Sequence, residues 1–102
     1  MENGLETRAQ VKKILDLVKS VAPGKSVELR VPPYGVIQCV AGGNHRRGTP
    51  PNTVEMSGQT LVRLINEPAL WSFLCESGEV RASGLLSDLS KVFTQAAVKY
   101  RA

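Results

Sequence analysis

The run from Thr53 to Gly84 constrains the fold more than any other part of this chain. It reads as strand, short helix, short helix, strand. Thr53 to Ser57 alternates, with Val54 and Met56 on one face. Ser57 stands where an N-cap is needed for a helix whose buried stripe is Leu61, Leu64 and Ile65. Pro68 suits the first turn of a second helix and Gly78 suits its end. Glu79 to Ser83 alternates again, with Val80 and Ala82 predicted inward, and Gly84 closes the strand.

The second of these helices, residues 68–76, has almost no polar face. Ala69, Leu70, Trp71, Phe73, Leu74 and Cys75 place apolar groups nearly all round it. Such a helix needs cover on more than one side. The sheet supplies one side; the last helix, a second subunit or a bound apolar molecule must supply the other.

Upstream, Thr7-Arg-Ala-Gln10 has the form of a capping box. Val11, Ile14, Leu15 and Val18 then recur at helical spacing, so a helix is expected over residues 6–22, ended by Pro23-Gly24. Ser26 to Val31 alternates, with Val27, Leu29 and Val31 facing one way. Pro32-Pro33-Tyr34-Gly35 is a turn. Val36 to Val40 is apolar on both faces except at Gln38, which predicts a strand inside the sheet rather than at its edge. Residues 41–52 form a long loop. A final helix is expected from Ser87 or Ser90, with Leu89, Val92, Phe93, Ala96, Ala97 and Tyr100 along one stripe.

A chain of 102 residues is expected to be one domain, spanning 1–102, with one core and little spare interior. A net charge of +4 brings nucleic acid into consideration, but the basic residues are scattered apart from His45-Arg46-Arg47, which is the pattern of a solvated surface. A helix-turn-helix reading fails because the second helix offers Leu, Trp and Phe where base-reading polar side chains are needed. No apolar run is long enough to cross a bilayer, so no stable membrane insertion is expected, and the polar first residues do not read as a signal peptide. A soluble cytoplasmic protein is expected.

No catalytic constellation is visible. The one histidine, His45, lies in the glycine-rich loop, and its pairing with Cys39 is no known thiol–base signature. One His and two distant Cys do not make a metal set. Cys39 and Cys75 each sit in apolar segments and read as buried small hydrophobes. Gly42-Gly43-Asn44 lacks the Gly-Lys-Ser/Thr ending of a phosphate loop. His45, Arg46 and Arg47 could still grip a carboxylate or phosphate, although a solvated connection is the plainer reading. Trp71 reads first as a core anchor and second as a pocket wall.

With these elements placed, the chain resembles the sterol-carrier-protein family, in its small actinobacterial form. The likeness rests on Val54-Glu-Met-Ser57 leading into Leu61–Leu64, on Trp71, and on Gly78-Glu-Val-Arg-Ala-Ser-Gly84. Val31-Pro-Pro-Tyr-Gly-Val-Ile-Gln-Cys-Val40 and His45-Arg-Arg-Gly-Thr-Pro-Pro-Asn52 resemble the bacterial subgroup in particular. It covers residues 10–93; residues 94–102 extend beyond it. The resemblance implies an α+β fold: a mixed sheet, with three antiparallel strands and a fourth after a helix pair, and helices on one face. It also implies a cavity between the layers for a fatty acyl or sterol-like ligand, with no cofactor. Met56, Leu64, Leu70, Trp71, Leu74, Val80, Ala82 and Phe93 are the expected pocket residues, with His45, Arg46 and Arg47 at a ligand headgroup. The expected function is non-enzymatic lipid binding or transfer. The alternative is a structural or interaction module, homodimeric, with its cavity closed.

Overall fold

A computed structural model describes residues 4–42 and 52–102. Helix α1 (Gly4–Val21) leads into a hairpin of β1 (Val27–Val31) and β2 (Gly35–Cys39). Then come β3 (Asn52–Met56), α2 (Gly58–Asn66), a 3-10 turn (Pro68–Leu70), α3 (Trp71–Ser77), β4 (Val80–Ser83) and α4 (Ser90–Arg101). The helix expected over 68–76 is thus a 3-10 turn running into an α-helix. The first helix starts before Thr7, which lies inside it and is buried.

The four strands form one sheet in the order β2-β1-β3-β4. β1 pairs antiparallel with β2, parallel with β3, and β3 pairs antiparallel with β4. The mixed sheet with a fourth strand after the helix pair is as expected, but the first three strands are not all antiparallel. β3 returns beside β1 in the same direction, which requires a crossover rather than a second hairpin. This arrangement also puts β2 at an edge, not inside the sheet. Its apolar run does not mark two buried faces: Val36 points to the open side and is 58% exposed, and Val40 lies beyond the strand.

Period-2 alternation gives the sheet two unlike faces. Val27, Leu29, Val31, Cys39, Val54 and Met56 are buried on one. The other carries Glu28, Arg30, Glu55 and Arg81, linked by Arg30–Glu28, Arg30–Glu55 (3.9 Å) and Arg81–Glu55 (2.6 Å) ion pairs. All the helices lie on the apolar side. α1 presents Val11, Ile14, Leu15 and Val18, α2 presents Leu61, Leu64 and Ile65, and α4 presents Phe93, Ala96 and Ala97 to one continuous core. Ser57 caps α2 as expected, its hydroxyl accepting from the Thr60 N–H at 3.1 Å.

The chain leaves β2 in an uncommon conformation. Val40, a β-branched residue, has φ 67°, a region such residues seldom visit. Its N–H donates to the Ala22 carbonyl at 2.7 Å and its carbonyl accepts from the Ser26 N–H at 3.0 Å. Gly24 (φ 149°) makes room, since a side chain there would meet the Val40 carbonyl at 2.2 Å.

Candidate functional site

The sheet's apolar face is not covered evenly. Ala82 stands directly opposite buried Val54 in the β3–β4 register, on the same face as buried Val80, yet it is exposed. The expectation that Ala82 turns inward is therefore right about the face and wrong about the burial. α3 packs on β4, whose first residue, Val80, is buried, while the rest of the strand is exposed.

A cleft of about 480 Å³ follows this edge. Its apolar side is Cys75, Val80 and Ala82; wrapping round the strand, its polar side includes Arg30, Glu55 and Arg81. Beyond β4, Gly84 (φ 109°) turns the chain so that Leu85 is fully exposed and Leu86 partly so. Asn52 fixes that turn. Its buried amide donates to the Ser26 carbonyl at 2.9 Å and accepts from the Leu86 N–H at 2.9 Å. A side chain at Gly84 would meet the Asn52 Oδ1 at 2.2 Å, so only glycine fits there.

The other expected pocket residues lie elsewhere. Met56, Leu64, Trp71, Leu74 and Phe93 are buried in the core, and Leu70 is half-buried against it. Trp71 and Phe93 stack on each other with ring centroids 6.1 Å apart. Met56 also reaches a second cleft of about 540 Å³, between the end of β3, Ser57, Arg63 and Glu79. Only Val80 and Ala82 of the expected set line the β4 cleft. α3 is less wrapped than its sequence suggested: Trp71 and Leu74 are buried, but Phe73 is 57% exposed. His45, Arg46 and Arg47, with most of the 41–52 loop, lie outside the described residues.

Two features of this end carried little signal in the sequence. Asn52 was visible only as the last residue of a loop. Asp88 lies between Ser87 and Ser90, the two residues that read as starts of the last helix. Its Oδ1 accepts from the Ser90 N–H at 2.9 Å. That bond and the Ser90 side chain, with Lys91 nearby, hold the Asp88 carboxyl below its ordinary value. Ser87 instead is buried and donates to the Gly84 carbonyl at 2.7 Å.

Neither thiol is activated. Burial pushes Cys39 up to about 11. Burial, and then the Asp88 carboxylate, pushes Cys75 upward as well. Both stay protonated at neutral pH, where a nucleophilic cysteine would need the reverse shift.

A family model described as a bacterial SCP ortholog matches residues 4–94. The chain belongs to that family. It is a sterol-carrier-like domain, and the match ends where α4 runs on past Thr94. Among solved structures, one named UbiJ-SCP2 Ubiquinone synthesis protein superposes with a TM-score of 0.56 at 16% identity, over 100% of this chain and 98% of that one. Sterol Carrier Protein 2 from Yarrowia lipolytica, in its apo form, gives a TM-score of 0.45 at 13% identity, over 87% of this chain and 80% of that one. No curated protein matches. Within this SCP domain, the helices pack on one face of a mixed sheet, and among the described residues no helix is long and apolar enough to cross a membrane.

Proposed function

We propose that this SCP domain binds a small amphiphile, such as a fatty acid, without catalysing a reaction, at the β4 edge. One observation supports this most: Ala82 continues the apolar row of Val54 and Val80 but is left exposed. An apolar tail lying along Cys75, Val80 and Ala82 would complete the cover. The cleft's volume, about 480 Å³, falls within the ~300–1,000 Å³ of ordinary ligand sites. Each methylene removed from water contributes about 0.8 kcal/mol, and ordering costs offset part of that, so micromolar affinity is expected.

A carboxylate end has cationic partners. Arg81 and Arg30 border the cleft, and the segment bearing His45, Arg46 and Arg47 leaves and rejoins the fold at Gly42 and Asn52, both beside Leu86. We assign these three residues to the ligand's anionic end. The two free thiols suit a reducing compartment, and we place the protein in the cytoplasm.

Trp71 lies four residues, one turn, before Cys75 of the cleft wall and reports on α3. Oleate titration followed by Trp71 fluorescence, with native mass spectrometry, should give a saturable one-to-one complex. Ala82→Asp should weaken it by about tenfold or more with little effect on stability. An absence of saturable binding, or equal binding by the Ala82→Asp variant, would sink the proposal. The Trp71–Phe93 stack favours a second reading, an interaction module whose interior is filled by its own side chains. A tight dimer in light scattering, with no oleate complex, would support that reading instead.

A further inference from the structure

We infer that the Leu85–Leu86 turn docks this domain on the surface of an anionic lipid bilayer. Leu85 is fully exposed and Leu86 is 41% exposed. These leucines are held on a built turn. The Leu86 N–H donates to Asn52, and both the N–H and the hydroxyl of Ser87 donate to the Gly84 carbonyl, at 3.2 and 2.7 Å. Ordering them on a surface therefore costs little further backbone entropy.

The charges around the turn select the partner. Exposed Lys25 adjoins Ser26, and the Ser26 hydroxyl and Leu86 both border Gly42. Exposed Lys91 opens α4. Between Gly84 and Lys91 the one acid is Asp88, already engaged by the Ser90 N–H. Apolar side chains at a tip with cations beside them match the bilayer boundary, where acyl chains lie beneath anionic headgroups. A protein interface needs about 800 Å² per partner, with large anchors, and two leucines on a turn do not supply that. Val36, another exposed apolar residue, lies in β2 at the opposite edge of the sheet and so serves as an internal control.

The inference does not rest on the ligand reading, because docking can be measured with no cargo present. Co-sedimentation would use vesicles of phosphatidylcholine containing about one-third phosphatidylglycerol, compared with pure phosphatidylcholine. The protein should partition at least about tenfold more strongly to the anionic vesicles, and about 0.5 M salt should remove most of the difference. Leu85→Asp should lower partitioning about tenfold with an unchanged melting temperature, and Val36→Asp should leave it unchanged. Charge reversal at Lys25 and Lys91 together should lower it and flatten the salt dependence. Three results would overturn the inference: wild-type protein left in the supernatant, equal loss from Val36→Asp and Leu85→Asp, or a dimer in light scattering that Leu85→Asp dissolves while vesicles bind nothing. Failure of the oleate titration alone would leave it standing.

Discussion

The centre of the sheet and its β4 end are built from the same alternation and finish differently. At the centre, Val27, Leu29, Val31 and Val54 meet side chains from the helix layer and are fully buried. At the β4 end, Ala82 faces the same way and is exposed, and Leu85 beyond it stands in water. The centre carries stability, because burying a large aliphatic or aromatic side chain is worth about 1.5–3 kcal/mol. The end carries apolar surface that the fold does not use. In a domain this small, the exposed part of the apolar row is where a ligand or a surface can be met without dismantling the core.

The largest test of that contrast compares Phe93→Ala with Ala82→Asp. Phe93 is fully buried, is among the largest side chains in the core, and stacks on Trp71. Its truncation should cost about 3–5 kcal/mol. Ala82→Asp should stay within about 0.5 kcal/mol, as exposed substitutions do. Urea denaturation of both variants checks the pair. Equal losses would mean that the β4 end is as closed as the centre.

A second test asks whether the open end is loose or built. Gly84→Ala places a Cβ 2.2 Å from Asn52 Oδ1 at a φ of 109°. Asn52 cannot simply turn away, because its amide joins the Ser26 carbonyl to the Leu86 N–H. A loss of about 2–3 kcal/mol is expected from strain and a disturbed buried hydrogen bond. Thermal melting measures it. A change below about 0.5 kcal/mol would show that the turn yields and that Leu85 and Leu86 are not held in place.

Much of the contrast's covered half was legible in the sequence. The β1 alternation, the α1 stripe, the Ser57 cap and the Gly78 terminus each depend on a few neighbouring residues, and each lies where its pattern put it. The Gly78 cap has φ 83°, as a helix-ending glycine should. What escaped depends on contacts distant in sequence. The Val36–Val40 run could be a central or an edge strand, because a short apolar run does not reveal its neighbours. The place of β3 in the sheet could not be read, because the long connection before it permits either a hairpin beside β2 or a passage past β1 to its far side. Both Asn52 and Gly84 stood in recognisable segments, but nothing local says that one fills the space a side chain would need at the other. The placing of the expected site residues shows the same limit. Alternation assigned Ala82 to the correct face, whereas burial depends on whether a helix extends far enough to cover it. Trp71, Leu74 and Phe93 have the composition of a pocket wall and also that of a core; their contact with each other places them in the core.

The smallest expected effect lies at the boundary between the two regions, where the Leu85–Leu86 turn feeds into α4. Asp88 accepts from the Ser90 N–H at the start of that helix, and its carboxyl is held below the ordinary value mainly by Ser90. Asp88→Ala should cost about 1 kcal/mol at neutral pH, as other losses at a helix start do. The sign of the pH dependence follows from the downward shift. A carboxyl that ionises more readily in the folded chain adds stability above its unfolded pKa and loses it as pH falls through the folded one. Part of the gap between wild type and variant should therefore be present at neutral pH and shrink in acid, as paired melting curves would show. A gap that stayed constant into strong acid would mean that the carboxylate's charge contributes nothing to α4's start. Anchoring of the open turn to the closed half of the molecule would then rest on Asn52, Gly84 and Ser87 alone.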